Sequence, residues 1–259
     1  MKKKPIKLIT HRGLHSIDHG IIENSLEAFS LCKKYNIDTE LDVRMTRDGI
    51  LVVNHDEDIE SRLIKDTDYL ELMKLAPHLV VFDEVLDLID GKVELCIEIK
   101  SSFVDNIPTD MMVDKVLESL TNYKGTYTVC SMDPSILERV YLINPKIKLG
   151  LISYDFWDAT IPYYRKYELQ NLHCLESIAH MLSFISYSHN CISKRVIKLA
   201  KDYNLDLVGW TFSNSSQKNH DLKPYDAMIF NPSFLGKYSP DSTRFHTEYK
   251  KFEAFINES

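Results

Sequence analysis

Short apolar runs alternate along the chain with longer stretches whose apolar residues recur at helical spacing, an alternation that predicts parallel strands joined by helices. Eight runs read as strands: Lys7–Thr10, Asp38–Val43, Glu94–Ile99, Tyr127–Cys130, Lys148–Ile152, Phe184–Tyr187, Leu207–Thr211 and Ala227–Phe230. A ninth run, Ile50–Asn54, stands apart, because only Arg44 to Gly49 separate it from the second. A parallel crossover needs a dozen or more residues, so this pair is expected to be an antiparallel hairpin on top of the other strands. The first helix is expected to start at an Asn24 cap, with Glu27 completing a capping box and Leu26, Phe29 and Cys32 on one face. Further helices are expected over Met111–Leu120, Ser135–Ile143 and Ser193–Tyr203. Eight strands alternating with helices over 259 residues predict an α/β fold, a (β/α)8 TIM-type barrel forming a single domain over residues 1–259.

Strands covered by helices on both faces normally read as continuous apolar runs. The run Asp38-Thr39-Glu40-Leu41-Asp42-Val43 does not. Side chains alternate along a strand, so Glu40 and Asp42 share one face and Leu41 and Val43 the other. Two carboxylates this close repel and lose hydration, and a cation between them would hold them there. A solvated edge strand with one polar face is the other reading of the same hexapeptide. Asp48-Gly49 is a two-residue type I′ turn signal. That turn would set Met45 opposite Val52, Val43 opposite Asn54 and Asp42 opposite His55, delivering His55 beside the acidic pair. On the neighbouring strand, Glu98 and Lys100 share a face opposite Ile97 and Ile99. Glu98 can complete a set of three carboxylates, which favours a hard cation such as Mg²⁺ or Ca²⁺ over zinc; a local ion pair with Lys100 is the plainer reading. His11-Arg12-Gly13 ends the first strand, at the rim where barrels carry their chemistry. Arg offers a planar fork of donors suited to phosphate, and Gly lets the backbone turn or approach a ligand.

Composition narrows the class. A net charge of −7 argues against nucleic acid as the main partner, since phosphate backbones need clustered Lys and Arg. The basic start Met1-Lys2-Lys3-Lys4-Pro5 is not followed by the apolar run of a signal peptide, and no stretch is long enough to span a membrane. The 5 cysteines are widely spaced and form no CxxC pair, as expected of free thiols in a reducing, cytoplasmic compartment. There is no internal repeat or linker.

His11-Arg12-Gly13, Glu23-Asn24-Ser25-Leu26-Glu27-Ala28-Phe29, Glu40-Leu41-Asp42-Val43, Thr46-Arg47-Asp48-Gly49 and Val52-Val53-Asn54-His55-Asp56 resemble, in order and spacing, the glycerophosphodiester phosphodiesterase family. Phe82-Asp83-Glu84-Val85-Leu86, Ile97-Glu98-Ile99-Lys100, Cys130-Ser131-Met132 and Trp210-Thr211 match its later motifs. The resemblance implies a distorted barrel holding one divalent cation, Mg²⁺ or Ca²⁺, with Glu40, Asp42 and Glu98 as ligands. It implies His11 and His55 as an acid–base pair, Arg12 and Lys100 as phosphate-binding groups, Glu23 as a supporting residue and Trp210 as part of the substrate-binding set. It implies hydrolysis of small glycerophosphodiesters to glycerol 3-phosphate and an alcohol, without stable membrane insertion. A lysophospholipid substrate, met by rim residues such as Tyr154, Phe156 and Trp157, is the alternative; an inactive binding homologue is a further one, against which the filled catalytic positions speak. The chain departs from the family pattern at Ile22, where Pro is usual, at Ser213, and at Phe230-Asn231, where Thr-Asp is usual.

Overall fold

A computed structural model describes residues 5–100, 109–154, 172, 174–213, 222–232, 238–240 and 242–258. Phe156 and Trp157 lie outside the described residues. In chain order the strands are β1 (Lys7–Thr10), β2 (Asp38–Met45), β3 (Leu51–Val53), β4 (Asp58–Ile59), β5 (Arg62–Leu63), β6 (Val80–Val81), β7 (Leu95–Ile99), β8 (Tyr127–Ser131), β9 (Lys148–Ser153), β10 (Leu182–Ser188), β11 (Asp206–Phe212) and β12 (Ala227–Phe230). The helices are α1 (Leu26–Tyr35), α2 (Tyr69–Leu75), α3 (Phe82–Ile89), α4 (Thr109–Leu120), α5 (Pro134–Ile143), α6 (Leu175–Ile178), α7 (Lys194–Asp202) and α8 (Thr243–Glu258). The staves β2, β7, β8, β9, β10, β11 and β12 pair in parallel, and β1 closes the ring by pairing with both β12 and β2. The expected eight-stranded barrel is therefore present. Register shifts between Leu182 and Phe184 on β10 and between Gly209 and Phe212 on β11 distort it locally.

Alternation along the staves sorts side chains into two layers. Leu41, Val43, Ile97, Ile99, Val129 and Leu151 face outward and pack under the helices, all fully buried. Ile9, Cys130, Ile152, Phe184, Val208 and Ile229 face inward and fill the barrel. Burying each such aliphatic side chain stabilises the fold by about 1.5–3 kcal/mol.

Two local expectations are corrected. The cap of α1 is Ser25, whose hydroxyl accepts from the Ala28 amide at 3.2 Å. Asn24 adopts φ 54 instead, a left-handed conformation that Asn tolerates, and its side chain turns elsewhere. Starting the helix one residue later leaves Leu26 outside, 37% exposed, while Ala28, Phe29, Leu31 and Cys32 form the buried face. The hairpin is the second correction. Its pairs are Val43 with Val53, Arg44 with Val52 and Met45 with Leu51, one residue away from the expected register. The loop is not a two-residue turn: the Gly49 amide donates to the Thr46 carbonyl at 2.9 Å, and the Thr46 amide to the Ile50 carbonyl at 2.9 Å. Gly49 at φ 81 takes the left-handed position of a three-residue loop, and the Thr46 hydroxyl braces it by donating to Asp48 at 2.6 Å. β3 pairs onward with β6, and Val52, Ile59, Ile64, Leu72 and Leu79 form a separate apolar cluster beside this hairpin.

Candidate active site

Inward-facing positions of such a barrel are normally filled by bulky apolar side chains. At the C-terminal ends of β2 and β7 they are not. Glu40, Asp42 and Glu98 point inward, and Asp42 is the direct register partner of Glu98. One carboxylate oxygen from each lies within 4.8 Å of the other two. All three are buried, Asp42 to 1% exposure. The adjacency expected from alternation alone is thus present.

Cations and amides surround this cluster. Lys100 Nζ lies 2.9 Å from Glu98 Oε1 and 3.2 Å from Asp42 Oδ1. Arg12 divides its guanidinium between Glu23, at 2.7 Å, and Asp42 Oδ2, at 3.3 Å. Its backbone amide donates to Glu40 Oε2 at 3.0 Å, and Asn24 Nδ2 donates to Asp42 Oδ2 at 3.0 Å. A tight turn after β1 makes this possible. Arg12 sits at φ 56 and Gly13 at φ 83, and a Cβ on Gly13 would lie 2.7 Å from the Ala28 Cβ.

The charges are unevenly matched. Burial, with Asp42 and Glu98 adding repulsion, raises the Glu40 pKa well above the ordinary carboxylate value. Burial also raises that of Glu98, against the pull of Lys100. For Asp42 burial works in the same direction, but Lys100 and Arg12 outweigh it and hold the group ionised. Burial likewise opposes the charge on Lys100, and Asp42 and Glu98 more than restore it. Among the described residues, Asp42 Oδ1 is buried and accepts no hydrogen bond of good geometry, and Lys100 Nζ lies 3.2 Å away. An oxygen-only set with an acidic excess and an unsatisfied buried oxygen fits a hard divalent cation.

His11 and His55 line the same cleft, which is also lined by Arg12, Glu40, Glu98 and Lys100. Burial, followed by the Arg12 charge, pushes the His11 pKa down to about 3. Burial, followed by Lys100, lowers that of His55. His55 Nδ1 lies 2.8 Å from Asp56 Oδ1. The one-residue register correction does not remove His55 from the site: the ladder ends where the Asn54 amide donates to the Asp42 carbonyl at 3.0 Å, and the chain then bends inward. Met132, Ile152, Trp210 and Ile229 line the cleft's other side. Tyr154 meets Trp210 edge-on, with ring centroids 6.0 Å apart. Phe230, where the chain departs from the family pattern, faces the outer core against Tyr249 and Phe252 and does not line the cleft. Asn24, expected as a cap, and Arg44, which no motif marks, both belong to this network. Alternation from Glu40 and Asp42 already puts Arg44 on the inner face, whereas nothing local marks Asn24 as a partner of Asp42.

The C-terminal rim of a closed β/α barrel thus brings acidic, imidazole and guanidinium groups together. Residues 11–230 match the Glycerophosphoryl diester phosphodiesterase family, and the chain belongs to it. A glycerophosphodiester phosphodiesterase of Caldanaerobacter subterraneus is 29% identical in an alignment of 163 positions that covers 56% of this chain and 65% of that protein, just under two thirds of the relative's length. The crystal structure of a Thermotoga maritima glycerophosphodiester phosphodiesterase superimposes with a TM-score of 0.69 at 20% identity, covering 90% of this chain and 97% of that one. An Oleispira antarctica phosphodiesterase, in complex with the product sn-glycerol-3-phosphate, gives a TM-score of 0.65 at 17% identity over 91% of this chain and 97% of that one. At these identities the structural likeness speaks for the fold. No helix among the described residues is long and apolar enough to cross a membrane.

Proposed function

We propose that the chain hydrolyses glycerophosphodiesters to glycerol 3-phosphate and an alcohol, using one divalent cation, Mg²⁺ or Ca²⁺, held by Glu40, Asp42 and Glu98. The observation that carries this reading is the convergence of those three carboxylates within 4.8 Å in a cleft that also presents His11, His55, Arg12 and Lys100. When bound, the ion would balance the carboxylates and polarise a non-bridging phosphate oxygen. Arg12 and Lys100 attract and orient the phosphate, and Glu23 holds the Arg12 fork in place through its 2.7 Å contact. Both imidazoles have lowered pKa values, so an imidazole at pH 7 can take the proton of the nucleophile, either water or the glycerol 2-hydroxyl. The negative diester favours the protonated form of the other, which then donates to the leaving alcohol oxygen. The Trp210 indole N–H is buried without a hydrogen-bond partner among the described residues and can donate to a substrate oxygen. The buried free thiols of Cys32, Cys96 and Cys130 suit a reducing, cytoplasmic setting.

The test is glycerophosphocholine assayed for glycerol 3-phosphate release with Mg²⁺, with Ca²⁺ and with chelator. Release should require the metal, and His11→Ala or His55→Ala should lower turnover by about 10²–10⁴-fold. Full activity in chelator, or near-normal turnover in both variants, overturns the mechanism. The apolar wall of Met132, Ile152 and Ile229 favours a second reading in which the alcohol bears an acyl chain. Preference for lysophosphatidylcholine over glycerophosphocholine would select it.

A further inference from the structure

We infer that Arg44 positions His55, acting through the backbone carbonyl of that residue rather than through the substrate. The inference rests on the proposed acid–base role of His55. The corrected register leaves His55 without support from the ladder. β3 ends at Val53, and the last ladder bond joins the Asn54 amide to the Asp42 carbonyl. One residue later the chain has left the sheet, at the point where a catalytic imidazole needs to be held to within a fraction of an ångström.

Arg44 supplies the missing restraint. It lies on β2 two residues past Asp42, so it shares the inner face with Glu40 and Asp42. Its Nε and Nη2 both donate to the His55 carbonyl oxygen, at 3.0 and 2.6 Å. A charged fork closing on one carbonyl fixes direction as well as distance, and charge-assisted bonds are roughly twice as strong as neutral ones. The His55 ring has little else to hold it. Its side chain is 38% exposed, and the side chain of its partner Asp56 is 77% exposed. A solvated pair of that kind contributes little, so the ring goes where its backbone is put. Arg44 itself does not line the cleft. Burial works against its charge, while Asp42, Glu98, Glu57 and Asp56 supply the field that keeps it. The same guanidinium therefore ties the position of His55 to the acidic cluster across the hairpin.

The experiment is a double-variant cycle of Arg44→Gln and His55→Ala, assayed with glycerophosphocholine and Mg²⁺, with Mn²⁺ affinity measured by titration on each protein. Gln cannot reach the carbonyl with a charged fork, so Arg44→Gln should lower kcat by about 10–100-fold, the scale of an ångström-sized misplacement. KM and Mn²⁺ affinity should stay near the wild-type values, because no group that touches ligand has changed. Once His55 is gone there is nothing left to position, so Arg44→Gln should cost no further kcat in the His55→Ala background. Arg44→Lys, a point charge without the fork, should recover part of the lost kcat. Should Arg44→Gln fail to fold in a melting experiment, the same cycle is run with Arg44→Lys. Additive losses in the double variant, or an unchanged kcat in a folded Arg44 variant, overturn the inference. A His55→Ala enzyme that retains full turnover instead defeats the acid–base reading itself, a result the cycle reads separately.

Discussion

Replacing Glu40 by Gln should make the metal-free protein more stable while removing its response to metal. The three carboxylates of the rim lie within 4.8 Å of one another. At an effective dielectric constant of about 20, two unit charges at such a distance repel by about 3 kcal/mol. Lys100 offsets this for Asp42 and Glu98, which it contacts directly. Among the described residues Glu40 has only the Arg12 backbone amide at 3.0 Å, and the carbonyl oxygen of Gln can accept that bond equally well. With partial compensation by Arg12, a net gain of about 1–3 kcal/mol is expected, the scale of a buried group with incomplete partners. For a chain of this size that raises the melting temperature by about 2–12 °C. The sign with pH is fixed by the raised pKa of Glu40. Below its unfolded-state value the group is protonated in both states and carries no penalty; the penalty appears as pH rises through the folded value. The advantage of the variant should therefore be present at pH 8 and close toward pH 4. Addition of Mg²⁺ at one hundred times its Kd should stabilise the wild type by about 2.7 kcal/mol, and the variant by much less. Calorimetric melting of both proteins, after chelation and after Mg²⁺ addition, measures all of this. A metal-free Glu40→Gln protein less stable than wild type at pH 8, or one that keeps the full metal shift, refutes the reasoning.

Substitutions at Gly13 and Arg12 test the turn after β1, with Gly20 as a control. Gly13→Ala should cost about 2–4 kcal/mol, combining left-handed backbone strain with overpacking against the Ala28 Cβ at 2.7 Å. Gly20→Ala, at φ 71 with nothing within 4 Å, should cost only the strain; equal losses in thermal melting would show that the close approach at Gly13 is unimportant. Arg12→Lys replaces the fork that joins Glu23 and Asp42 with a single ammonium. It should raise KM for glycerophosphocholine by about 10–100-fold, the loss of one charge-assisted bond, and an unchanged KM would remove Arg12 from phosphate binding.

The parts of this molecule legible in its sequence are those governed by strict periodicity. Side chains alternate along strands without exception, so Glu40, Asp42 and Glu98 could be assigned a common face, and the structure brings them together. Strand positions were readable for the same reason, although β10 and β11 extend beyond their apolar runs at both ends. What escaped was set by choices among near-equal local alternatives. Asp48-Gly49 suits a two-residue turn, but the Thr46 hydroxyl bonds to Asp48 and to the Ile50 carbonyl, and the three-residue loop prevails. Ser25 and Asn24 are both good caps; Asn24 is drawn away by Asp42, a partner 18 residues distant in sequence. The role of Arg44 depends on where β3 ends, which the corrected register alone reveals. His55 reached its expected neighbourhood through that clamp and not through the pairing first expected for it.

On the proposed reading, Glu40, Asp42 and Glu98 grip one divalent ion at the barrel rim. The most direct test is anomalous diffraction from active crystals soaked in Mn²⁺. A single strong peak bounded by oxygens of those three carboxylates, each at about 2.0–2.6 Å, is expected. No peak between them, or a peak elsewhere in crystals that turn over substrate, contradicts that reading.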